Sequence, residues 1–571
     1  MTFQNTRWRI APPPPPDHLR SFAGHLDPLI LQVLYHRGLT DPAAVEAFLS
    51  WQAPHATDPF NLKGMDIAVD RIGRAIRDGE SIAVYGDYDA DGVTGSVLLV
   101  QALRAMGASR VQPYIPNRMG EGYGLNNEAL ERLALQGNTL VITVDCGTRA
   151  VGQVHHANSL GMDVIITDHH AVSHELPPAV AILNPKQESD GYPDQILAGV
   201  GIAFKLVQGL VRAGIDSGPL VHTDLLDLVA LGTVADLAPL LGENRMLVHQ
   251  GLELINSRPR PGVAALMQKA GVRQGQVTSE TIGFALGPRI NAAGRMSSAH
   301  VAARLLISDD PGKTQLLAAK LDGLNRDRQD QTRQLTQFAE ELALEEGEEL
   351  PLLFAADPGF PSGVVGLIAS RLVESYYKPA IVVQIRSDVA VGSCRSIPEF
   401  HITRALDQCS DLLVKHGGHT VAAGFTVTLD NLQPLKQRLT AMAAEQLAGE
   451  KPVPALDIAA RLALNDITWG VHDALAHLEP CGYRNPVPLL YSPDVQVVSW
   501  RTVGSTGAHL KLVVAEEGQF LDAIAFGMGE FSSQMRDRMD IVYHLEENEW
   551  NGRVNLQLNI QDMRPAGEGS E

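Results

Sequence analysis

Between residues 80 and 170 the chain repeats one pattern. The apolar runs SIAVYG, VQPYIP, TLVITVD and DVIITD are separated by helix-like stretches such as GVTGSVLLVQALRAMG and RAVGQVHHANSLG. Short β-rich runs alternating with helices of this length form βαβ units, whose strands are parallel and buried on both faces. In such sheets ligands bind beyond the carboxyl ends of the strands. The residues that follow each run are therefore the first place to look for chemistry.

SIAVY leads into GDYDADG, with Asp87, Asp89 and Asp91 at every second position. In extended backbone those side chains share one side, and carboxylates that close repel unless a cation sits among them. The other reading is an acidic, solvated turn, and the heptapeptide alone does not choose. TLVITV leads into Asp145, DVIIT into Asp168, His169 and His170, and LLDLVALGTVAD closes on Asp236 after a run that reads as a buried helix. Acidic turns would scatter over both edges of the sheet, whereas four segments here supply one edge. Aspartates with one or two imidazoles suit Mn²⁺ or Mg²⁺. Several bridging carboxylates suggest two ions, about 3.5–4 Å apart in enzymes that clamp both oxygens of a phosphoryl transfer. Two bland roles stay open: Asp87 capping the turn, and Asp168 only orienting a histidine. His155 and His156 lie mid-helix and read as surface residues.

Phosphate chemistry also needs cations for the substrate. GPRINAAGRM offers Arg289 and Arg295, GSCRS offers Ser393 and Arg395, and PNRMGEGYG offers Arg118 and Tyr123. Arginine forks grip phosphate oxygens in pairs, and a tyrosine in a glycine-rich loop can stack on a base. His419 follows two glycines in HGGHT.

At 571 residues the chain predicts three or four domains. A net charge of −20 excludes a generally basic nucleic-acid coat, though not a local basic channel. Four cysteines without a C-x-x-C exclude a cysteine zinc site by spacing and suggest a reducing compartment. The amino-terminal stretch lacks the apolar core of a signal peptide, and no run reaches membrane-span length, so a cytoplasmic protein is expected. Pro12 to Pro16 predict a short polyproline II arm. Residues 311–347 read as a charged connecting helix that includes Arg326, Arg328 and Arg333. A second α/β unit follows at about 350–450. From about 455 the period changes: VNLQLNIQD puts Val554, Leu556, Leu558 and Ile560 on one face, and with four other runs it predicts five strands of an OB-type barrel or a sandwich.

Taken in order, GDYDADG, TVDCGT, TDHH, GTVAD, GPRINAAGR, SGVVGLIASR, GSCRS and GGHTVAAGF resemble the DHH phosphoesterase superfamily and, within it, the RecJ single-strand-specific exonucleases. The resemblance implies an α/β multidomain fold: an N-terminal arm (1–45), a parallel-sheet DHH domain (46–265), a helical connector (266–347) with one long helix, a smaller α/β DHHA1 domain (348–450) and an all-β OB-fold domain (455–571). It implies two-metal hydrolysis of single-stranded DNA from the 5′ end, releasing nucleoside 5′-monophosphates in DNA repair, recombination and mismatch repair. By the same resemblance Asp89, Asp91, Asp145, His169 and Asp236 are metal ligands, with Asp145 the bridge and Asp87 an outer partner. His170 acts at the scissile phosphate with His419 near. Arg295, Ser393 and Arg395 hold the terminal 5′-phosphate, and Arg118 and Tyr123 guide the strand. A single-strand-binding protein and a helicase are the implied partners of a monomeric, non-membrane enzyme. One stretch departs from the pattern: LEPCGYRNP carries Cys481 and Arg484 where the family has phenylalanine and glycines. The alternatives are a phosphodiesterase for short oligoribonucleotides or cyclic dinucleotides, a pyrophosphatase, and a scaffold that has lost its metals. The β-rich extension argues against the first two, and the intact acids against the third.

Overall fold

The computed structural model describes residues 6–567 apart from 23–25, 54–56, 119, 346, 348, 450 and 551. Residues 1–5, part of the stretch read for a signal peptide, lie outside it. The chain divides into two compact units. One joins residues 51–452 with 482–484, and the other joins the amino-terminal 50 residues with 453–481 and 485–571. The first strand, β1 (Arg7–Ile10), thus belongs with the carboxyl-terminal part of the chain.

The larger unit holds two sheets. β2 (Ser81–Gly86), β3 (Arg110–Tyr114), β4 (Leu140–Val144), β5 (Asp163–Thr167) and β6 (Ala181–Leu183) form a parallel sheet in the order β3-β2-β4-β5-β6. The continuous apolar character of these strands has a direct cause. Ile82, Val84, Ile142 and Val144 enter one core with the helices Ala90–Ala105, Gly199–Arg212 and Leu226–Ala235. Their neighbours Ala83, Tyr85 and Val141 enter a second core with Leu130 and Val154 on the opposite face. Both faces are therefore covered, as a parallel sheet requires.

The helix Pro311–Leu344, capped by Asp310 on the amides of Gly312 and Lys313, leads to the second sheet. There β7 (Leu353–Asp357), β8 (Ala380–Ile385), β9 (Val389–Arg395), β10 (Leu413–His419) and β11 (Ala422–Thr428) take the order β10-β11-β9-β8-β7. Only the β7–β8 pair is parallel. Motif HGGHTVAAGF is the β10–β11 hairpin.

In the smaller unit β12 (Ala455–Ile458) pairs in parallel with β1. β13 (Ala460–Arg461), β14 (Leu490–Val503), β15 (His509–Glu516), β16 (Gln519–Ala525), β17 (Arg538–Trp550) and β18 (Arg553–Pro565) follow in the order β13-β14-β15-β16-β18-β17, and β17 returns to β14. β13 joins β14 in parallel; among the five long strands only β16–β18 is parallel and the other pairs are antiparallel, and these five close as an OB-type barrel. Closure selects the barrel over the sandwich. Leu558 and Ile560 are buried as the alternation predicts, but Val554 is exposed where the β17–β18 hairpin runs beyond the core.

The proline run does not stay polyproline throughout. Pro16 is the first residue of the helix Pro16–Ser21, where the missing N–H costs nothing. The Pro12 carbonyl takes a 2.7 Å bond from His36 Nε2, which tethers the segment. All four cysteines are buried, and among the described residues none forms a disulfide. Among the described residues no helix is long and apolar enough to cross a membrane.

Candidate metal centre

The expected geometry of GDYDADG is corrected by a helix start. The three acids do not alternate along a strand, because β2 ends at Gly86 and Asp89 is the N-cap of the helix Ala90–Ala105, accepting from the Gly92 amide. Asp91 sits in the first helical turn, fully buried, and turns inward. Its two oxygens accept the Gly199 and Val200 amides, each at 2.7 Å, so one helix N-terminus holds an acid from another. Only glycine fits at 199: a Cβ there would stand 2.7 Å from Asp145 Cβ and 2.9 Å from Asp91 Oδ2.

Asp145 follows β4 in left-handed backbone, φ 61°. Its amide still reaches Thr167 O at 2.9 Å, so the strand pairing continues while the carboxylate is swung to the sheet edge. His169 Nε2 lies 3.0 Å from Asp145 Oδ1, 3.7 Å from Asp236 Oδ2 and 3.9 Å from Asp91 Oδ2. Asp236 caps the end of the helix Leu226–Ala235. Donor atoms gather into three overlapping sets, Asp87–Asp89–Asp145, Asp91–His169–Asp236 and Asp145–His169–His170, each within 4.8 Å. Asp145 and His169 each belong to two of them.

Burial and the charges of neighbouring aspartates push Asp87, Asp145 and Asp236 well above the usual carboxylate range, and Asp91 up to about 7. Burial first, then the His170 charge, brings His169 down to about 3, a neutral ligand. Asp87 Oδ1 and Asp145 Oδ1 are buried and accept no hydrogen bond. Orphaned oxygens, hard donors and mutual repulsion fit divalent cations of the Mn²⁺ or Mg²⁺ kind.

Asp168 stands in none of these donor sets. Its Oδ1 is 2.8 Å from His170 Nδ1 and its Oδ2 accepts the Thr148 amide, so its oxygens are used in fixing the His170 ring. Burial opposes ionisation of Asp168, but the His170 hydrogen bond and charge outweigh it and hold the carboxyl below its ordinary value. His170 is raised by the same bond, against burial.

The remaining predicted residues surround this centre. Tyr123 is exposed and directs its hydroxyl to His170 at 3.4 Å. Tyr123, Asp168, His170 and His419 line one cavity of about 350 Å³, which brings the β10 histidine to the edge of the centre. Arg118 covers the Tyr88 ring at 4.9 Å. Arg295 donates to Gly363 O at 3.2 Å, and Arg395 reaches Ser393 Oγ at 3.3 Å. The first turn of the helix Val365–Tyr376 lies against that pair, since a Cβ at Gly366 would sit 3.0 Å from Arg395. Arg289 differs from Arg295: it forms an ion pair with Asp322 at 3.0 Å and serves the fold. His155 is exposed and His156 bonds Glu131, both on the helix Val151–Ser159. Arg484 is exposed with φ 61°, and Cys481 is buried.

Sequence reasoning missed the supports. The Lys186 amine holds the His169 carbonyl, Asn184 holds that of His170 at 2.9 Å, and Asn291 accepts the Ala90 amide at 2.8 Å. Asn291 lay inside a quoted motif, but Lys186 and Asn184 carry no local signal.

Comparison with known proteins agrees with this arrangement. The DHH family, N-terminal domain, matches residues 81–233, the DHHA1 domain matches 349–445 and the RecJ OB domain matches 458–562. The single-stranded-DNA-specific exonuclease RecJ of Bacillus subtilis is 38% identical over 98% of this chain and 71% of its own length. That of Escherichia coli is 34% identical over 96% and 98%. The crystal structure of Thermus thermophilus RecJ in complex with Mn²⁺ superposes with a TM-score of 0.84 at 31% identity, covering 99% of this chain and 80% of the other. With its DHH, DHHA1 and OB modules in this order and its acids and histidines gathered at one sheet edge, the chain belongs to the RecJ family of metal-dependent nucleases.

Proposed function

We propose that the protein is a single-stranded-DNA-specific exonuclease that degrades from the 5′ end and releases nucleoside 5′-monophosphates. The observation that carries this reading is the set of overlapping donor groups sharing Asp145 and His169. Asp87, Asp89, Asp91, Asp145, His169 and Asp236 would hold two divalent ions, Asp145 being shared between two of the donor sets. Bound Mn²⁺ or Mg²⁺ supplies the positive charge that acidifies a water and neutralises the phosphodiester's developing charge. The chain's own residues do the rest. Asp91 is fixed by two amides and His169 is neutral, so both offer lone pairs in a set direction. His170, whose ring Asp168 fixes and whose protonated form it favours, contacts a non-bridging oxygen of the scissile phosphate, and His419 contributes from the facing hairpin.

Arg295, Ser393 and Arg395 bind the 5′-terminal phosphate, aided by the first amides of the helix Val365–Tyr376. Arg118 and Tyr123 guide the strand. An end anchored at a fixed distance from the ions yields one nucleotide per cut. The OB-type barrel engages the trailing single strand. The domain divisions at 46–265, 266–347, 348–450 and 455–571 belong to this reading. So do cytoplasmic action in repair and recombination and work beside a single-strand-binding protein and a helicase as a monomer.

The test is one internally labelled oligonucleotide, single-stranded or annealed, incubated with Mn²⁺ or with chelator. Mononucleotides appearing from the 5′ end, only with metal and only from the single strand, are expected. An untouched polymer beside rapid cleavage of dinucleotides overturns the reading in favour of a small phosphodiesterase.

A further inference from the structure

The connecting helix carries an arginine that neither the fold nor the metal centre uses. Arg289 on the helix Gly287–Met296 is paired with Asp322 on the helix Pro311–Leu344, which locks the two helices side by side. Six residues further along each helix stand Arg295 and Arg328. Where the first pair is complementary, the second is like-charged. Burial first, then the charges of Arg118 and Arg328, bring Arg295 down to about 10. Burial and the Arg371 charge lower Arg328 as well.

Asp89 acts on Arg295 and Asp87 on Arg118 through their charge alone, not as ion-pair partners. Among the described residues none of Arg118, Arg295, Arg328 and Arg395 is within ion-pair distance of a carboxylate. Arg328 Nη2 is spent on Asn325 Oδ1 at 2.7 Å, but its Nε is buried without a hydrogen-bond partner. One turn further along the same helix, Thr332 Oγ1 is orphaned in the same way. Guanidiniums of the fold are usually answered by acids, as Arg71 is here by Glu80 and Asp163. A buried donor left unmade costs about 1–3 kcal/mol. A ligand oxygen at Arg328 Nε would supply the missing acceptor.

The geometry points to Arg328 as a further phosphate ligand of the substrate's 5′ end, so that one terminal phosphate is held from three parts of the chain: Arg295 of the first lobe, Arg328 of the connecting helix, and Arg395 with Ser393 of the second lobe. The ligand class is a phosphomonoester dianion on a nucleic-acid end. Its oxygens accept from Arg328 Nε and relieve the repulsion between Arg328 and Arg295. This deepens the end-binding reading above and rests on it. It adds a consequence of its own: the phosphate fastens the connecting helix to both lobes, so a 5′-phosphoryl end selects the arrangement in which the metal centre faces the strand.

The test is steady-state kinetics of the full chain with Mn²⁺ on single strands bearing 5′-phosphate or 5′-hydroxyl, for wild type, R328Q, R328K and R395A, with inorganic phosphate as a competing probe. R328Q is expected to raise KM for phosphorylated ends roughly tenfold. It narrows the difference between phosphorylated and hydroxyl ends, and it weakens inhibition by inorganic phosphate. R328K recovers part of the loss, which a merely structural defect would not permit. If R328Q keeps the wild-type preference while R395A loses it, the pocket stands and Arg328 is no part of it. If wild type itself treats both ends alike, the end-binding reading fails first and this one with it.

Discussion

The amide of Gly199 donates to Asp91 Oδ2 at 2.7 Å across 108 positions of sequence, and the space between them admits no side chain larger than hydrogen. This contact ties the start of one helix to the acid at the start of another and sets where the carboxylate edge faces. Gly199→Ala tests it. A Cβ there meets Asp145 and Asp91 before anything flexible, so the carboxylates must shift. Mn²⁺ affinity should fall at least about tenfold, in line with the loss of a ligand-orienting partner. Titration calorimetry reads the affinity and circular dichroism the fold. Wild-type affinity in this variant would remove the helix N-terminus from the account of the site.

Asp145→Asn should lose turnover and yet gain stability without metal. Asparagine tolerates the left-handed backbone that Asp145 adopts at φ 61°. The substitution also removes one of several buried, mutually repelling carboxylates. In chelator the variant is expected to be about 1–2 kcal/mol more stable than wild type, while exonuclease activity disappears. Calorimetric melting with and without Mn²⁺ checks both halves. Activity near wild type sinks the shared-ligand assignment.

Proton linkage gives a signed expectation. Asp91 titrates at about 7 against an ordinary value of 3.8, and Asp87, Asp145 and Asp236 are raised too. In a folded protein with raised carboxylates, stability is fully present below pH 3.8 and is lost as pH rises through the folded values. His169 works in the opposite sense, but only between about 3 and 6.5, where the unfolded chain takes up the proton that the fold refuses. Above pH 6.5 the raised His170 acts in the same sense as the carboxylates, its stabilisation being lost as pH rises through its folded value. Metal-free protein should therefore lose melting temperature across that window, and Mn²⁺ should restore it. Binding at pH 6.5 should release protons, seen as a dependence of calorimetric heat on buffer ionisation enthalpy. A flat melting temperature in chelator, or proton uptake on binding, contradicts this.

Away from the centre, Lys205 and Glu243 form a 2.8 Å ion pair with both side chains essentially inaccessible, closed by the Tyr192 hydroxyl on Glu243. Glu243→Gln leaves the ammonium buried without its counter-charge. The expected cost is about 3–5 kcal/mol, read by urea denaturation. The double change Lys205→Met with Glu243→Leu should recover most of it. If the single variant costs less than about 1 kcal/mol, the amine finds another acceptor.

Much of this molecule is legible in the chain. β2, β4 and β5 stand where unbroken apolar runs announced buried parallel strands, and Asp145, His169, His170 and Asp236 come together because each follows such a run or closes a buried helix. The local path of GDYDADG was not legible. Alternation suggested extended backbone, whereas Asp89 as an N-cap starts the helix one residue later. Arg289 and Arg295 look equivalent in sequence, and only the partner on a distant helix separates them. Arg326, Arg328 and Arg333 are alike in sequence as charges of one connecting helix, because nothing local tells which face of a long helix is covered. Supports such as Lys186 and Asn184 act through backbone carbonyls, a contact that leaves no residue-type signature.

The register of β1 on β12 has a consequence for how the chain is made. Arg7 is opposite Ala455, so β1 has its partner synthesised roughly 450 residues later, ~20–90 s at about 5–20 residues per second. The larger unit, residues 51–452, can close its own core in that interval, while Trp8 waits for the carboxylate of Asp562, to which its indole donates at 2.7 Å. The unit that carries the OB-type barrel is thus completed across that interval, and a chain cut short before β12 leaves β1 without its partner strand.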